Sequence, residues 1–245
     1  MTAELWGLIF EGIWITVQLT FYSAALGAGV AFITGLARTS RFWILRFLSG
    51  FYVEVFRGTS ALVLMFWLFF VVPLALGWQL VPMWAATLAL GLSYGAYGSE
   101  IVRGGIAAVA PAQREAGIAL SFTPWQRLRL VILPQAVPEM LPPFNNLLIE
   151  LLKGTALAGL LGVGEISFEA QLARLATGES ANIYLSILGM YFVLAFILTR
   201  GMRLLERRAK ASIGQKPEKG GGIFRKLNIR EETQQSSNII TAGGH

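Results

Sequence analysis

Long apolar stretches alternate with short basic segments along the 245-residue chain. A helix needs about 20 apolar residues to cross the hydrocarbon core of a bilayer. Five stretches meet or approach this length, near residues 13–36, 59–80, 83–103, 147–166 and 181–199. The pattern therefore predicts an all-α membrane protein with five transmembrane helices.

The fourth apolar stretch differs from the others because charges and glycines interrupt it. Glu150 and Lys153 lie three residues apart in it, and four glycines follow between residues 154 and 164. Charged side chains in a spanning helix usually face the protein interior or a water-filled path. We expect a bent or buried helix here, whose two charges either pair with each other or line a polar path from the inner end of the span.

Basic residues gather on one side of the predicted membrane. If the N-terminus lies outside, nineteen of the twenty Lys and Arg residues, Lys153 included, face the cytoplasm, and only Arg174 falls outside. Basic residues favour the cytoplasmic side of membrane proteins. The N-terminus is therefore predicted outside and the C-terminus inside. Two pairs at inner helix ends, Glu54 with Arg57 and Glu100 with Arg103, are spaced to interact across one helical turn.

The composition excludes several kinds of chemistry. The chain has no cysteine and no aspartate, and its single histidine is His245. Disulfides, thiolate metal sites and Ser/His/Asp triads are therefore excluded. No Gly-rich loop ends in Gly-Lys-Ser/Thr, the signature of a nucleotide-binding loop. We predict a protein that has no catalysis, cofactor or metal of its own.

Two segments outside the apolar stretches define the domain organisation. Residues 211–245 are polar and Gly-rich without periodicity, which predicts a disordered cytoplasmic tail after a transmembrane domain at 1–210. The inner loop at 105–146 is too long for a simple connector. Pro111 is suited to begin a short helix in this loop, and Thr-Pro-Trp-Gln at 123–126 has the pattern of a capping box that begins a second one. Pro134 is expected to end that second helix.

The stretch EAGIALSFTPWQRLRLVILPQA, residues 115–136, resembles the cytoplasmic EAA loop of ABC importer permeases. The loop pattern is EAA, three residues, Gly, nine residues, Ile, one residue and Leu-Pro. The positions that match it are Glu115, Ala116, Leu133 and Pro134. Those that depart from it are Gly117 for Ala, Ser121 for Gly and Val131 for Ile. In the family this loop seats in a groove of the ATPase subunit, so the resemblance implies that these seven residues form the coupling element.

Three of these loop positions carry specific expectations. Ala116 and Gly117 are expected to offer the small surface that seats in the groove of the ATPase. The turn at Ser121 is expected to need a backbone conformation that glycine adopts more readily.

Further segments resemble the polar amino-acid branch of these permeases, namely residues 16–27, 52–63, 95–106 and 141–157. The forms FRGTSALV and LIELLKGTAL are most similar to ectoine and hydroxyectoine importer permeases. The resemblance implies the type I (MetI-like) permease fold in a bacterial inner membrane. It also implies import of a polar amino acid or of ectoine, driven by ATP that a partner ATPase dimer binds, with an outer solute-binding protein as a further partner. Five spans do not form two equal halves, so a second permease, a copy or a paralogue, is needed to close the path.

Polar and aromatic residues of the third and fourth spans are candidates for the solute path. Ser93, Tyr94 and Tyr97 lie on the third span and Glu150 and Lys153 on the fourth, although packing is a common role for such aromatics. An ion-coupled secondary transporter or a channel is the alternative function, but it leaves the double helix of the inner loop without a role. A membrane enzyme is a third possibility, disfavoured by the missing Asp, Cys and internal His.

Reporter fusions test the predicted topology. Fusions after Arg46, Leu120 and Lys210 are expected to give cytoplasmic signals, and fusions near Gly77 or Gly178 external ones, because basic residues stay inside. An external signal at Leu120 would contradict the prediction, since the loop then lies on the wrong side of the membrane to meet an ATPase.

Overall fold

The computed structural model describes residues 3–77 and 79–212, and within these ranges the chain is helical with no strand. The predicted all-α class is confirmed. The helices, in chain order, are α1 (Ala3–Arg38), α2 (Trp43–Gly58), α3 (Ala61–Phe66), a π-helical turn (Trp67–Val71), α4 (Val72–Leu76), α5 (Pro82–Ala108), α6 (Pro111–Ala119), α7 (Pro124–Arg127), a second π-helical turn (Leu128–Ile132), α8 (Leu133–Gly154), a 3₁₀ helix (Thr155–Leu161), α9 (Ile166–Thr177) and α10 (Ser180–Ser212).

The chain divides into a compact unit, Met1–Glu206, and a second unit that begins at Arg207. Of the second unit the structure describes only residues 207–212. Almost all of the tail predicted at 211–245 therefore lies outside the described residues, and its disorder stays a prediction.

Three of the described helical segments are long and apolar enough to cross a membrane: Gly7–Arg38, Pro124–Leu161 and Ser180–Ala211. The pair Trp43–Gly58 and Ala61–Leu76, bent by 101°, would make a fourth span. Helix α5 is not among them, because small and hydroxyl-bearing residues occupy the side that it buries against other helices, among them Gly91, Ser93, Gly95, Gly98 and Ser99. The count of five spans therefore stays a prediction.

The directions of the helices follow from their contacts. Leu26 packs at Gly91, Val30 at Gly95 and Val102 at Gly35, so α1 and α5 run parallel with a nearly constant offset in residue number. Contacts between α5 and α8 pair rising residue numbers in one helix with falling numbers in the other, since Met140 packs at Gly105 and Phe144 at Gly98. Helices α5 and α8 are thus antiparallel.

Helix α10 runs parallel to α1. Ile183 near its start belongs to an apolar cluster with Ile9, whereas Met202 near its end lines a cavity with Ala28 and Phe32. Helices α1, α5 and α10 thus run in one direction and α8 in the opposite one, which is consistent with the predicted order of five crossings.

Helices α1 and α5 approach closely because glycine and alanine lie between them. A Cβ atom at Gly98 would be 2.8 Å from the Cβ of Ala31, and one at Gly27 would be 3.2 Å from the carbonyl oxygen of Gly91. Small residues at such spacing let two membrane helices approach until their backbones meet. The contact places α5 in the centre of the helical unit, with more than half of its residues buried.

The expectation that Pro134 ends a helix is wrong. The Leu133 N–H bonds to the Leu128 carbonyl, which closes a π-helical turn, and α8 continues from Leu133. The same arrangement precedes Pro73, where the Val72 N–H bonds to the Trp67 carbonyl. A proline ring clashes with the carbonyl four residues earlier in a regular helix. The wider turn relieves this clash, so the helix passes through the proline.

A buried carboxylate joins α9 to α10. Glu165 is fully buried and caps α9 by accepting hydrogen bonds of 2.9 Å from the backbone N–H groups of Ser167 and Phe168. The Tyr191 hydroxyl of α10 donates a third hydrogen bond of 2.8 Å to the same carboxylate. These donors compensate the cost of burying the carboxylate and fix the start of α9.

Enlarging Gly98 is expected to destabilise the helical unit. In Gly98→Leu the side chain would meet Ala31 and the Phe144 ring, and such overpacking costs about 1–3 kcal/mol. Gly104→Leu is the matched control on the same helix, because a Cβ there meets no atom within 4 Å. Thermal unfolding of the purified protein should give a lower Tm for the first variant only. Equal Tm values for the two variants would contradict the packing role of Gly98.

Candidate functional site

The inner loop between α5 and α8 folds as a helix, a turn and a second helix. Helix α6 begins with Pro111 at its first turn, as predicted. The predicted capping box is also present: the Gln126 N–H donates to the Thr123 hydroxyl over 3.3 Å, and the Thr123 N–H donates to the Gln126 side chain over 2.9 Å. Local sequence signals therefore set both helix starts in this loop.

Ser121 forms the turn between the two loop helices. Its φ angle is 58°, the only positive φ of a non-glycine residue in the described part of the chain. This left-handed conformation is the one that the sequence comparison with the EAA loop required at this position. The Ser121 N–H bonds to the Ile118 carbonyl over 2.8 Å, and the Phe122 N–H to the Gly117 carbonyl over 3.0 Å. The turn thus closes on α6 despite the side chain at Ser121.

Gly117 does not offer a surface to a partner, contrary to expectation. It is buried, and a Cβ atom there would be 3.1 Å from Cγ of Arg127 and 3.2 Å from its Cδ. Glu115 and Ala116 are exposed. Glycine at position 117 therefore lets the second loop helix pack on α6, and of the Glu-Ala-Gly triplet only Glu115 and Ala116 remain exposed.

The second half of the motif attaches the loop to the ends of α5 and α8. Val131 lies in the π-helical turn, and Leu133 and Pro134 begin α8. Between them the motif pattern skips Ile132, yet this side chain is buried in a cluster with Ile106 and other apolar residues, the remaining members being Ala31, Val102, Val109, Ala136 and Met140. Sequence analysis did not identify Ile132, because it is one apolar residue among many in this part of the chain.

Two polar contacts hold α6 in place. Arg114 donates a hydrogen bond of 2.6 Å to the Ile106 carbonyl near the end of α5. The Gln135 amide donates to Gln113 over 3.3 Å and so connects α8 to α6. Neither contact was predicted, because each joins residues that are distant in sequence. Together with Ile132 they make the loop a fixed element.

Four large apolar side chains of this loop point away from its packed interior. Their exposed fractions lie between 59% and 66%, and they are Ile118, Leu120, Trp125 and Leu130. The term loop patch refers to these four residues. Ile118 and Leu120 precede the apolar segment Pro124–Leu161, and Trp125 and Leu130 lie in its first two turns. An exposed apolar cluster of this kind is typical of a surface that binds another protein.

A second candidate site lies where two tyrosines of α5 meet residues of α2 and α8. Tyr97 is 42% exposed and Tyr94 is partly exposed, with ring centroids 6.4 Å apart. The Tyr94 hydroxyl donates to the Glu150 carbonyl over 2.9 Å, and the Tyr97 hydroxyl to the Arg57 carbonyl over 3.3 Å. The Arg57 guanidinium also lies over the Tyr97 ring, 5.2 Å from its centroid. The term open face refers to Arg57, Tyr94, Tyr97, Glu150 and Lys153.

Arginines from α1, α2 and α5 converge on the carboxylate of Glu100, next to the open face. Glu100 of α5 pairs with Arg103 on the same helix at 2.8 Å, as predicted, and with Arg38 at the end of α1. Arg57 reaches Glu100 over 3.6 Å and so pairs across to α5 instead of along its own helix with Glu54. Glu100 therefore connects the ends of α1 and α2 to α5 near the bend between α2 and α3.

The sequence had suggested that Glu150 and Lys153 lie at the inner end of a helix. The structure shows that they do not. Helix α8 begins at Leu133, so both residues are in its last turns, and Glu150 lies level with Tyr94 in the middle of α5. Both side chains are exposed, and within the described residues they form no ion pair with each other within 4.0 Å. Ser93 differs from these two because it is buried and does not line the open face.

Comparison with known proteins identifies the family. Residues 6–211 match the family model described as the inner membrane component of binding-protein-dependent transport systems, and the chain belongs to this family. It is 44% identical over 205 residues to the probable amino-acid ABC transporter permease protein y4tF of Sinorhizobium fredii, covering 82% of this chain and 86% of that protein. It is 37% identical to the L-cystine transport system permease protein TcyB of Bacillus subtilis, covering 84% of this chain and 88% of that protein.

Solved structures agree with the family assignment. The chain resembles the crystal structure of an amino acid ABC transporter with histidines at a TM-score of 0.77 and 29% identity, over 85% of this chain and all of that one. It also resembles the MetNI methionine ABC transporter at a TM-score of 0.75 and 22% identity, over 85% of this chain and 99% of that one. The predicted MetI-like permease fold is thereby confirmed.

Replacing Ser121 is expected to change stability according to the backbone that position 121 needs. Ser121→Gly should leave Tm unchanged or raise it slightly, because the cost of a left-handed residue other than glycine, about 1–2 kcal/mol, is partly offset by the larger conformational entropy that glycine loses on folding. Ser121→Val should lower Tm, because a β-branched residue is the least suited to a positive φ. Thermal unfolding of the purified protein measures both. A higher Tm for Val than for Gly would show that the turn does not have this conformation.

Proposed function

We propose that this chain is the permease subunit of an ATP-driven importer for a small polar solute, either a polar amino acid or a compatible solute of the ectoine type. The names of its relatives support the amino-acid class, since they include permeases for amino acids, L-cystine and glutamine. The forms FRGTSALV and LIELLKGTAL support the ectoine type within that class. Both solute types are zwitterions, and the open face carries both signs of charge.

The loop between α5 and α8 couples the permease to a partner ATPase. The observation that carries this assignment is the loop patch, in which four exposed apolar residues project from helices that Gly117, Arg114 and Ile132 hold rigid. A fixed apolar surface loses little conformational entropy on binding, which favours tight docking. Glu115 and Ala116 lie beside this surface as exposed members of the EAA-like motif.

The open face of α5 lines the path of the solute. Glu150, Lys153 and Arg57 expose charges at the level of apolar helices, where contact with lipid is costly. A second permease, a copy or a paralogue, covers this side and encloses a polar path between the two chains. Tyr94 and Tyr97 provide aromatic surfaces for the cationic part of the solute, and Lys153 attracts its carboxylate.

ATP hydrolysis takes place on the partner subunits. An outer solute-binding protein delivers the solute, the two permeases alternate access, and the ATPase dimer drives the change through the loop. The N-terminus of the chain lies outside and the C-terminus in the cytoplasm. An ion-coupled secondary transporter is the less favoured alternative, because it assigns no role to the loop patch.

Truncating Trp125 tests the docking role of the loop patch. Trp125→Ala should weaken association with the ATPase subunit more than tenfold, because a buried interface tryptophan commonly contributes about 2 kcal/mol or more. Trp14→Ala is the matched control, since Trp14 is also exposed but lies on α1 in an apolar span. Co-purification of the ATPase and solute-stimulated ATP hydrolysis in vesicles measure the effect.

A second loop variant changes the fold of the loop without removing the patch. Gly117→Trp should abolish coupling while the protein still inserts in the membrane, because the indole displaces Arg127 and separates the loop helices. Parental ATP hydrolysis and transport in both Trp125→Ala and Gly117→Trp would show that the loop is not the docking element.

A further inference from the structure

The backbone at Gly154 does not require glycine. Its φ is −64° and its ψ is −22°, the right-handed helical conformation that every L-residue adopts. Alanine is a better helix former than glycine in such a position. The reason for glycine at the end of α8 must therefore lie in the surrounding space.

Tyr94 occupies the space in which a side chain of residue 154 would lie. A Cβ atom at Gly154 would be 3.0 Å from the Tyr94 hydroxyl oxygen and 3.5 Å from Cε2 of the same ring, with Leu90 Cδ2 at 3.4 Å. The Tyr94 hydroxyl is held there by its hydrogen bond of 2.9 Å to the Glu150 carbonyl, one turn earlier on α8. Glycine thus allows Tyr94 of α5 to lie directly against α8.

The position of Tyr94 affects the groups around it. Its ring centroid is 6.4 Å from that of Tyr97, and the Arg57 guanidinium covers a face of Tyr97 at 5.2 Å. Glu150 is exposed in the turn of α8 that Tyr94 contacts, and Lys153, three residues later on α8, is exposed as well. The arrangement combines an aromatic surface from α5 with an acid and a base from the last turns of α8, around Gly154. A zwitterion whose cation is planar and delocalised matches all three features.

We propose that Gly154 is a specificity-determining position that seats Tyr94 on the open face, and that the site prefers zwitterions with a planar, delocalised cation. This inference rests on the proposed function, because it takes the open face to be the solute path. A side chain at residue 154 requires the Tyr94 hydroxyl to move by a few tenths of an ångström, which strains its hydrogen bond to the Glu150 carbonyl. The aromatic surface then shifts relative to the charge of Glu150.

The test compares solute binding to the purified permease–ATPase complex, without the solute-binding protein, for parental and variant chains. The probes are labelled ectoine and arginine, which have planar delocalised cations, and labelled glutamine, whose cation is an ammonium group. Gly154→Ala should raise Kd for ectoine and arginine about fivefold, the size of a lost cation–π contact, and change that for glutamine less than twofold. Gly104→Ala is the control, since a Cβ there meets no atom within 4 Å.

The double variant Tyr94→Phe/Gly154→Ala shows whether the contact itself is responsible. It removes the oxygen that lies 3.0 Å from the added methyl group, so the ring regains its place and binding of ectoine and arginine should recover to within twofold of Tyr94→Phe alone. Failure of this recovery, or an unchanged Kd in Gly154→Ala, would overturn the inference while ATP-driven uptake by the parental chain still supports the proposed function. Absence of ATP-driven uptake of ectoine and of every polar amino acid by the parental transporter would overturn both.

Discussion

Close packing on one side of α5 is the constraint on which the other features depend. Gly91, Gly95 and Gly98 bring α1 against this helix, and Gly105 makes room for Met140 of α8. In a bilayer the hydrophobic effect does not drive helices together, so contact between closely fitting surfaces must supply the stability. Because the glycines make the closest contacts with α1 and α8, the larger aromatic residues Tyr94 and Tyr97 lie beside this packing, where they reach α8 and α2. The open face forms at these contacts.

Two further glycines, which have no side chain, position the functional groups outside this core. At Gly117 the absent Cβ lets Arg127 pack on α6, which fixes the loop that carries Trp125 and its apolar neighbours. At Gly154 the absent Cβ lets Tyr94 reach the Glu150 carbonyl. The loop and the open face are connected through α5 and α8, since both helices begin or end in the loop and both contribute to the face. Movement of the loop by a partner would therefore act directly on the helices that carry the open face.

Features with a local cause were predictable from the sequence, and features with a tertiary cause were not. The capping box at Thr123, the helix start at Pro111 and the turn at Ser121 each depend on a few adjacent residues, and each is present. The continuation of the helix past Pro134 depends on a π-helical turn that no periodicity indicates. The role of Gly117 depends on Arg127, ten residues later. The position of Glu150 along the helical unit, level with the middle of α5, depends on how far α8 extends towards the loop. Tyr94 and Tyr97 were identified as candidates, but their attachment to α8 and α2 could be seen only once the helices were placed.

Accessibility to water-soluble reagents in the assembled transporter distinguishes a solute path at the open face from a surface in contact with lipid. The chain has no cysteine, so single cysteines can be introduced without removing any natural one. In the assembled transporter, Tyr97→Cys is expected to react with a hydrophilic thiol reagent and to be protected by the transported solute. Phe192→Cys, at an exposed position of α10 in an apolar span, is expected to remain unreactive because lipid surrounds it. An unreactive cysteine at position 97, or labelling there that solute does not reduce, would contradict the assignment of the open face as the solute path.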